Sequence, residues 1–209
     1  MRLLLALTLT ALFSGAASAQ DFERPDDWKT RFDQPSATED QLETYVAMPP
    51  GWHVTSGPAG IYWHPDSTAS GTYRVEMEVY LFDPGERREA FGIFVGGREL
   101  EGPGQAYTYF LIRNGREFIV KERVGAEAPT IQTWTSREAI LAYSDRGEDA
   151  SVQNVLAVEV GEQNVRFLVN GERVWEGPKE GLSLDGIYGF RVNHGLNLHI
   201  SRLETMPIG

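Results

Sequence analysis

The sequence predicts an all-β domain of the β-sandwich class, and three observations carry that prediction. The run Tyr73-Arg74-Val75-Glu76-Met77-Glu78-Val79-Tyr80-Leu81 alternates polar and apolar residues with period two, as a strand does when one face lies in a core. Two runs rich in aromatic and β-branched residues, 106–113 and 116–124, flank Asn114-Gly115, a dipeptide that tolerates the positive φ angles of a tight hairpin turn. Similar short runs recur down the chain between Gly, Asn and Pro signals, at the spacing of a sandwich or barrel.

From the N-terminus, residues 1–19 read as a cleavable secretory leader. Arg2 precedes an apolar run of 11 residues, Leu3 to Phe13, broken only by Thr8 and Thr10, and small residues follow to Ala17-Ser18-Ala19. Signal peptidase needs small side chains at the first and third positions before the cut, which places cleavage before Gln20. The run is shorter than the roughly 20 residues that span a bilayer. The reading predicts a periplasmic or secreted protein with no membrane anchor in the mature chain.

Residues 20–50, rich in Asp, Glu, Pro, Ser and Thr, read as an irregular lead-in with a short helix near 39–44. Residues 51–209 read as the sandwich domain. After the strand at 73–81 comes 91–95, stopped by Gly96-Gly97, and then the Asn114-Gly115 hairpin. Residues 136–143 read as a helix capped by Ser136. The C-terminal third continues with strands at 152–160, 164–169, 173–175, 186–192 and 196–203, for about ten to twelve in all.

Composition excludes several functions. With no cysteine in the chain, disulfides, a lipid anchor on cysteine and a thiol nucleophile are all ruled out. The core alone must hold the fold. The net charge is −11, and removal of the one positive charge of Arg2 with the leader makes it −12. No run of Lys and Arg offsets it, so nucleic acid and anionic membrane surfaces are poor partners. There is no Gly-x-Ser-x-Gly elbow. Gly96-Gly97 and Gly102-Pro103-Gly104 sit in turns without a following helix and are not phosphate loops. The sequence does not speak to oligomeric state.

Several segments together resemble a known superfamily. Tyr107-Thr108-Tyr109-Phe110-Leu111-Ile112-Arg113-Asn114-Gly115 resembles the central hairpin of concanavalin A-like lectin/glucanase domains, laminin G-like ones included. Residues 154–160 and 165–171 do the same, and Gly189-Phe190-Arg191-Val192 looks like the closing strand with its outward Arg. The resemblance covers about residues 50–205. It implies a jelly-roll sandwich of two antiparallel sheets, one of them concave. It also implies carbohydrate bound on or beside the concave face, as in many members; some are glycosidases and others only adhere to partners.

Two sets of residues are candidates for a site. Glu76 and Glu78 share one strand face about 7 Å apart, a spacing at which carboxylates can act as acid and base on a glycosidic bond. Glucanases of the superfamily carry Glu-x-Asp-x-x-Glu. Here the middle acid is the longer Glu78 and the second catalytic Glu is replaced by Leu81, which leaves a retaining mechanism without its partner. The plain alternative is a solvated strand face. The second set follows from strand register and includes the first: with Val75, Met77 and Val79 inward, Glu76 and Glu78 point outward, with Phe110 and Ile112 inward Tyr109 does too, and Lys121, Arg123, Trp134 and Arg191 can share that concave face with them. Aromatic rings that stack on sugar C–H faces, with charged groups for the hydroxyls, suit a glycan; an ordinary amphipathic surface is the alternative.

No cofactor is expected. His53, His64, His194 and His199 are too dispersed for the three or four converging ligands that zinc needs. The resemblance implies calcium as one ion to consider, and the acidic turn Ser144-Asp145-Arg146-Gly147-Glu148-Asp149 offers carboxylates without the twelve-residue loop pattern. The reading ranks a non-catalytic glycan-binding domain first, a glycoside hydrolase or lyase using concave-face carboxylates second, and a protein–protein adhesion module third.

Overall fold

Strand pairing fixes the architecture. Residues 23–206 and 208 are described by the structure, a computed structural model; the leader predicted at residues 1–19 lies outside them. In chain order the described strands are β1 (Lys29–Phe32), β2 (Thr44–Ala47), β3 (Trp52–Thr55), β4 (Gly60–Trp63), β5 (Thr68–Ala69), β6 (Tyr73–Phe82), β7 (Ala90–Arg98), β8 (Ala106–Arg113), β9 (Glu117–Val124), β10 (Thr130–Ser136), β11 (Ser151–Val160), β12 (Asn164–Val169), β13 (Glu172–Pro178), β14 (Gly186–Val192) and β15 (Asn197–Met206). One sheet has eight strands in the order β1-β4-β14-β7-β8-β9-β10, with β5 also paired to β14. The other has seven, in the order β13-β12-β11-β6-β15-β3-β2. Neighbours in both sheets run antiparallel. This is the jelly-roll β-sandwich that the sequence predicts.

The period-two runs lie where the alternation puts them. In β6, Tyr73, Val75, Met77, Val79 and Leu81 face the core between the sheets, and in β8 Phe110 and Ile112 do the same. Aromatic rings bridge the layers: Phe167 of the seven-stranded sheet lies 5.4 Å from Phe110 and 6.1 Å from Phe118 of the eight-stranded one. Burial of these side chains supplies most of the stability, at about 25 cal/mol per Å² of apolar surface.

Five local expectations are corrected. The Asn114-Gly115 turn has three residues: Arg113 pairs with Glu117, and it is Arg116 that takes the positive φ, 55°. The Asn114 side chain accepts from the Tyr143 N–H at 2.7 Å, and Arg116 donates to Asp145 at 2.5 Å, so contacts outside the hairpin select the longer turn. The two-residue turn with both residues at positive φ occurs instead at Asn170 (51°) and Gly171 (81°). The helix expected at 136–143 is absent: β10 runs through Ser136, and a short 3₁₀ turn covers Tyr143–Arg146. The helix expected near 39–44 is one 3₁₀ turn, Glu39–Gln41, and β2 begins at Thr44.

The lead-in is also more ordered than its composition suggests, because it supplies an edge strand to each sheet, β1 and β2. Finally, β7 does not stop at Gly96-Gly97 but passes through them in a bulge. At Gly96, φ is 69° and a Cβ would stand 2.1 Å from the Ser183 carbonyl oxygen, so only glycine fits.

Candidate binding site

The face of the eight-stranded sheet turned away from the core has an unusual make-up. Its outward residues Ile61, Trp63, Phe94, Tyr107, Tyr109, Leu111 and Ile119 form a second apolar cluster, each at most 8% exposed, and the strands of the described residues form no third layer above it. Other side chains and the loop after β7 provide the cover. Arg31 of β1 donates to the carbonyls of Leu100 and Gly102, both at 2.7 Å, and so ties that loop over the cluster.

Register places the polar residues. Arg191 of β14 is paired with Ile61 on one side and Gly92 on the other. Tyr109 is directly opposite Lys121, and Tyr107 opposite Arg123. The guanidinium of Arg191 lies over the Tyr109 ring, 5.2 Å from its centre. Both of its terminal nitrogens donate to the Asp33 carboxylate, one at 2.9 Å. Arg123 approaches the same carboxylate at 3.6 Å and donates to the Ala126 carbonyl at 3.1 Å.

Arg191 is buried, with 6% of its side chain exposed against 30% for Asp33. A charge so placed is tolerated only with a partner. Burial opposes ionisation of Asp33, but the hydrogen bonds and charge of Arg191, helped by Arg123, outweigh it and hold the carboxyl below its ordinary pKa. Burial likewise opposes the charge on Arg191, and the hydrogen bonds and charge of Asp33, together with the neighbouring Tyr107 and Tyr109, more than restore it. Lys121 has the opposite balance: burial, then repulsion from Arg123 and Arg191, lowers its pKa, and Asp33 offsets this only in part. Burial raises the Tyr109 phenol.

The structure therefore brings five of the seven candidates, Tyr109, Lys121, Arg123, Trp134 and Arg191, to one face. The aromatic rings there are not open platforms for a sugar. Tyr109 is 4% exposed, and half-buried Trp134 packs on the apolar cluster with the Arg113 guanidinium 3.9 Å from its ring centre. Long arginines cover the rings because stacking on them is favourable for a partly desolvated guanidinium.

Glu76 and Glu78 are not part of this assembly. They point outward from β6, on the opposite side of the sandwich. Glu76 accepts from Arg74 Nε at 3.1 Å and from Arg202 at 2.6 Å. Glu78 accepts from Ser201 at 2.7 Å and Tyr80 at 3.1 Å, and the Ser201 bond is the main cause of its lowered pKa. Arg74 also binds Glu159 at 2.6 Å, and Arg166 reaches Glu159 at 3.8 Å and Glu176 at 3.3 Å. The result is a row of alternating charges across the seven-stranded sheet. Period two shows that Glu76 and Glu78 point outward but not which sheet carries them.

Among the described residues no three His, Asp or Glu side chains converge as metal ligands. In the acidic turn, Asp145 is engaged by Arg116 at 2.5 Å and by the Ala142 N–H at 2.7 Å. His53 and His199 are cross-strand neighbours, 6.1 Å between ring centres, on the outer face of the seven-stranded sheet.

The residue of this assembly missing from the sequence reading is Asp33. The signal that could have found it is indirect: an Arg pointing from an apolar strand, as in Gly189-Phe190-Arg191-Val192, needs a carboxylate, and the lead-in is rich in them.

No protein-family model and no curated protein matches the chain. Solved structures do. A carbohydrate-binding module, CBM66 from Bacillus subtilis, aligns with TM-score 0.61 at 12% identity, over 86% of this chain and 94% of that one. A Bacteroides ovatus mixed-linkage glucan GH16 protein, in complex with the product G4G4G3G, gives 0.59 at 7% identity, over 89% and 97%. A Bacillus subtilis protein of unknown function with a galectin-like fold gives 0.58 at 12% identity, over 87% and 89%. The chain thus has the concanavalin A-like fold. At such identities the shared property is architecture, and the site is read from this chain's own residues.

Proposed function

We propose that this is an exported, non-catalytic domain that binds a glycan or polysaccharide on the outward face of the eight-stranded sheet. The observation that carries the reading is the assembly of Lys121, Arg123 and the Arg191–Asp33 pair above a buried aromatic floor. These groups offer several directed hydrogen-bond donors and one acceptor on a face that, among the described residues, no other layer of strands covers. Asp33 is the only carboxylate among the described residues in ion-pair contact with these cations, and it is committed to two arginines. Glycoside hydrolysis by the usual route needs two free carboxyl groups flanking one bond. The carbohydrate-binding module that shares the fold adds weight to the reading.

The test is a glycan array run alongside a reducing-sugar assay on the same polysaccharides. Retention without release is expected. Release would replace the binder with an enzyme, and silence in both would leave adhesion to a protein as the function. For export, mass spectrometry of the chain expressed in a bacterium should find an N-terminus at Gln20; an intact leader on cytoplasmic protein would refute it.

A further inference from the structure

On the basis of that reading, we infer that the glycan is acidic: an anionic group on the sugar, a ring carboxylate or a sulfate ester, is held by Lys121 and Arg123. The inference begins from a local imbalance of charge. The cations Lys121, Arg123 and Arg191 meet on the face, and Asp33 gives both of its oxygens to Arg191. Arg123 is left with a 3.6 Å approach to one of those oxygens, and among the described residues Lys121 has no ion-pair partner.

The other side of the same sandwich sets the standard for comparison. There Arg74, Arg166 and Arg202 each meet two or more carboxylates within 4.0 Å. A chain of net charge −11 has carboxylates to spare, yet this one face is left short of them. Glu122 illustrates the point. It lies between Lys121 and Arg123 in sequence, but strand alternation turns it inward, where it accepts from the Ser183 N–H at 3.1 Å and from the Thr108 hydroxyl.

Burial strengthens the argument. The Arg123 side chain is only 13% exposed, against 23%, 40% and 48% for Arg74, Arg202 and Arg166 of the other face, and its Nε, like those of Arg191 and Arg202, is buried without an acceptor. Partly desolvated cations with unmet donors destabilise a fold unless something compensates, and sites with that character are typically functional. The lowered pKa of Lys121 is a further sign of the same strain. As outward residues two apart on β9, Lys121 and Arg123 stand about 7 Å apart along the strand, a gap that a carboxylate or sulfate can bridge with separate oxygens. A neutral sugar would gain less here, because Arg113 and Arg191 already occupy the faces of Trp134 and Tyr109.

The experiment measures binding of the purified chain to immobilised polygalacturonate (carboxylate), dextran sulfate (sulfate) and neutral dextran at about 0.15 M salt, where charges beyond about 8 Å are screened. The wild type is compared with Lys121→Gln and Arg123→Gln, with melting temperature as the check on folding. Arg123→Lys keeps the charge should Arg123→Gln fail to fold. Retention on one or both acidic supports, weakened about tenfold or more by Lys121→Gln, is expected; which support retains the chain identifies the anion. Equal retention on the neutral support, or acidic retention untouched by Lys121→Gln, overturns the acidic inference and leaves glycan binding standing. No retention on these supports or on a glycan array overturns both.

Discussion

Replacing Asp33 by Asn tests the electrostatic core of the site. The substitution keeps a hydrogen-bond acceptor in place but removes the charge opposite Arg191, a residue 5% exposed. Breaking a fully buried pair from one side costs about 3–5 kcal/mol. Asp33 is 30% exposed and Asn retains part of the bonding, so about 2 kcal/mol is expected. With a urea m-value of about 2 kcal/mol/M, the unfolding midpoint at pH 7 should fall by about 1 M with unchanged slope. The effect should also depend on pH. A carboxylate whose pKa is depressed by folding stabilises the native state fully above its unfolded value, and that contribution is lost as pH falls through the native value. Asp33 is depressed from 3.8, so the gap between wild type and variant should persist at neutral pH and close below about pH 3.8. Arg191→Met combined with Asp33→Asn should cost less than the two single changes summed. Equal midpoints at pH 7, or a gap that survives into strong acid, would refute the buried-pair account.

Two further perturbations address the opposite face. Glu76→Gln removes the charge shared by Arg74 and Arg202; because Arg202 is 40% exposed, a loss of only about 1 kcal/mol is expected in urea unfolding, with ligand retention unchanged. Lost retention would move the site to the seven-stranded sheet. His53 and His199 are both held below 6.5, by burial first and, for His53, by the neighbouring His199. A base whose pKa is depressed by folding contributes nothing adverse above its unfolded value and destabilises as pH falls through it. The urea midpoint should therefore drop between pH 7 and 5, with a flatter profile in His53→Phe; a midpoint constant over that range would count against it.

Much of the fold is legible in the chain because alternation is strong where one strand face is buried. Strands β6, β8, β12 and β14 match the sequence reading to within a residue. The edge strands β1 and β2 escaped it. Lys-Thr-Arg-Phe and Thr-Tyr-Val-Ala are short and partly exposed, and an edge strand needs pairing on one side only, so their sequences carry little apolar period. Within the site, register gave the outward direction of Tyr109, Lys121, Arg123 and Arg191. Which sheet held Glu76 and Glu78 depended on long-range pairing of β6 with β11 and β15, which no local pattern reports. The stacking of Arg113 on Trp134 was hidden for the same reason, since the two meet only once β10 has folded back along β9 with two register shifts.

The Asp33–Arg191 contact joins residues 158 apart in the chain. A ribosome delivers the carboxylate early and the guanidinium near the end, and in between the early strand β1 has only β4 to pair with. Closing so long a loop is entropically costly and slow until the intervening strands are in place. The Asp33–Arg191 pair therefore closes late in folding, and a chain cut short before β14 lacks it altogether.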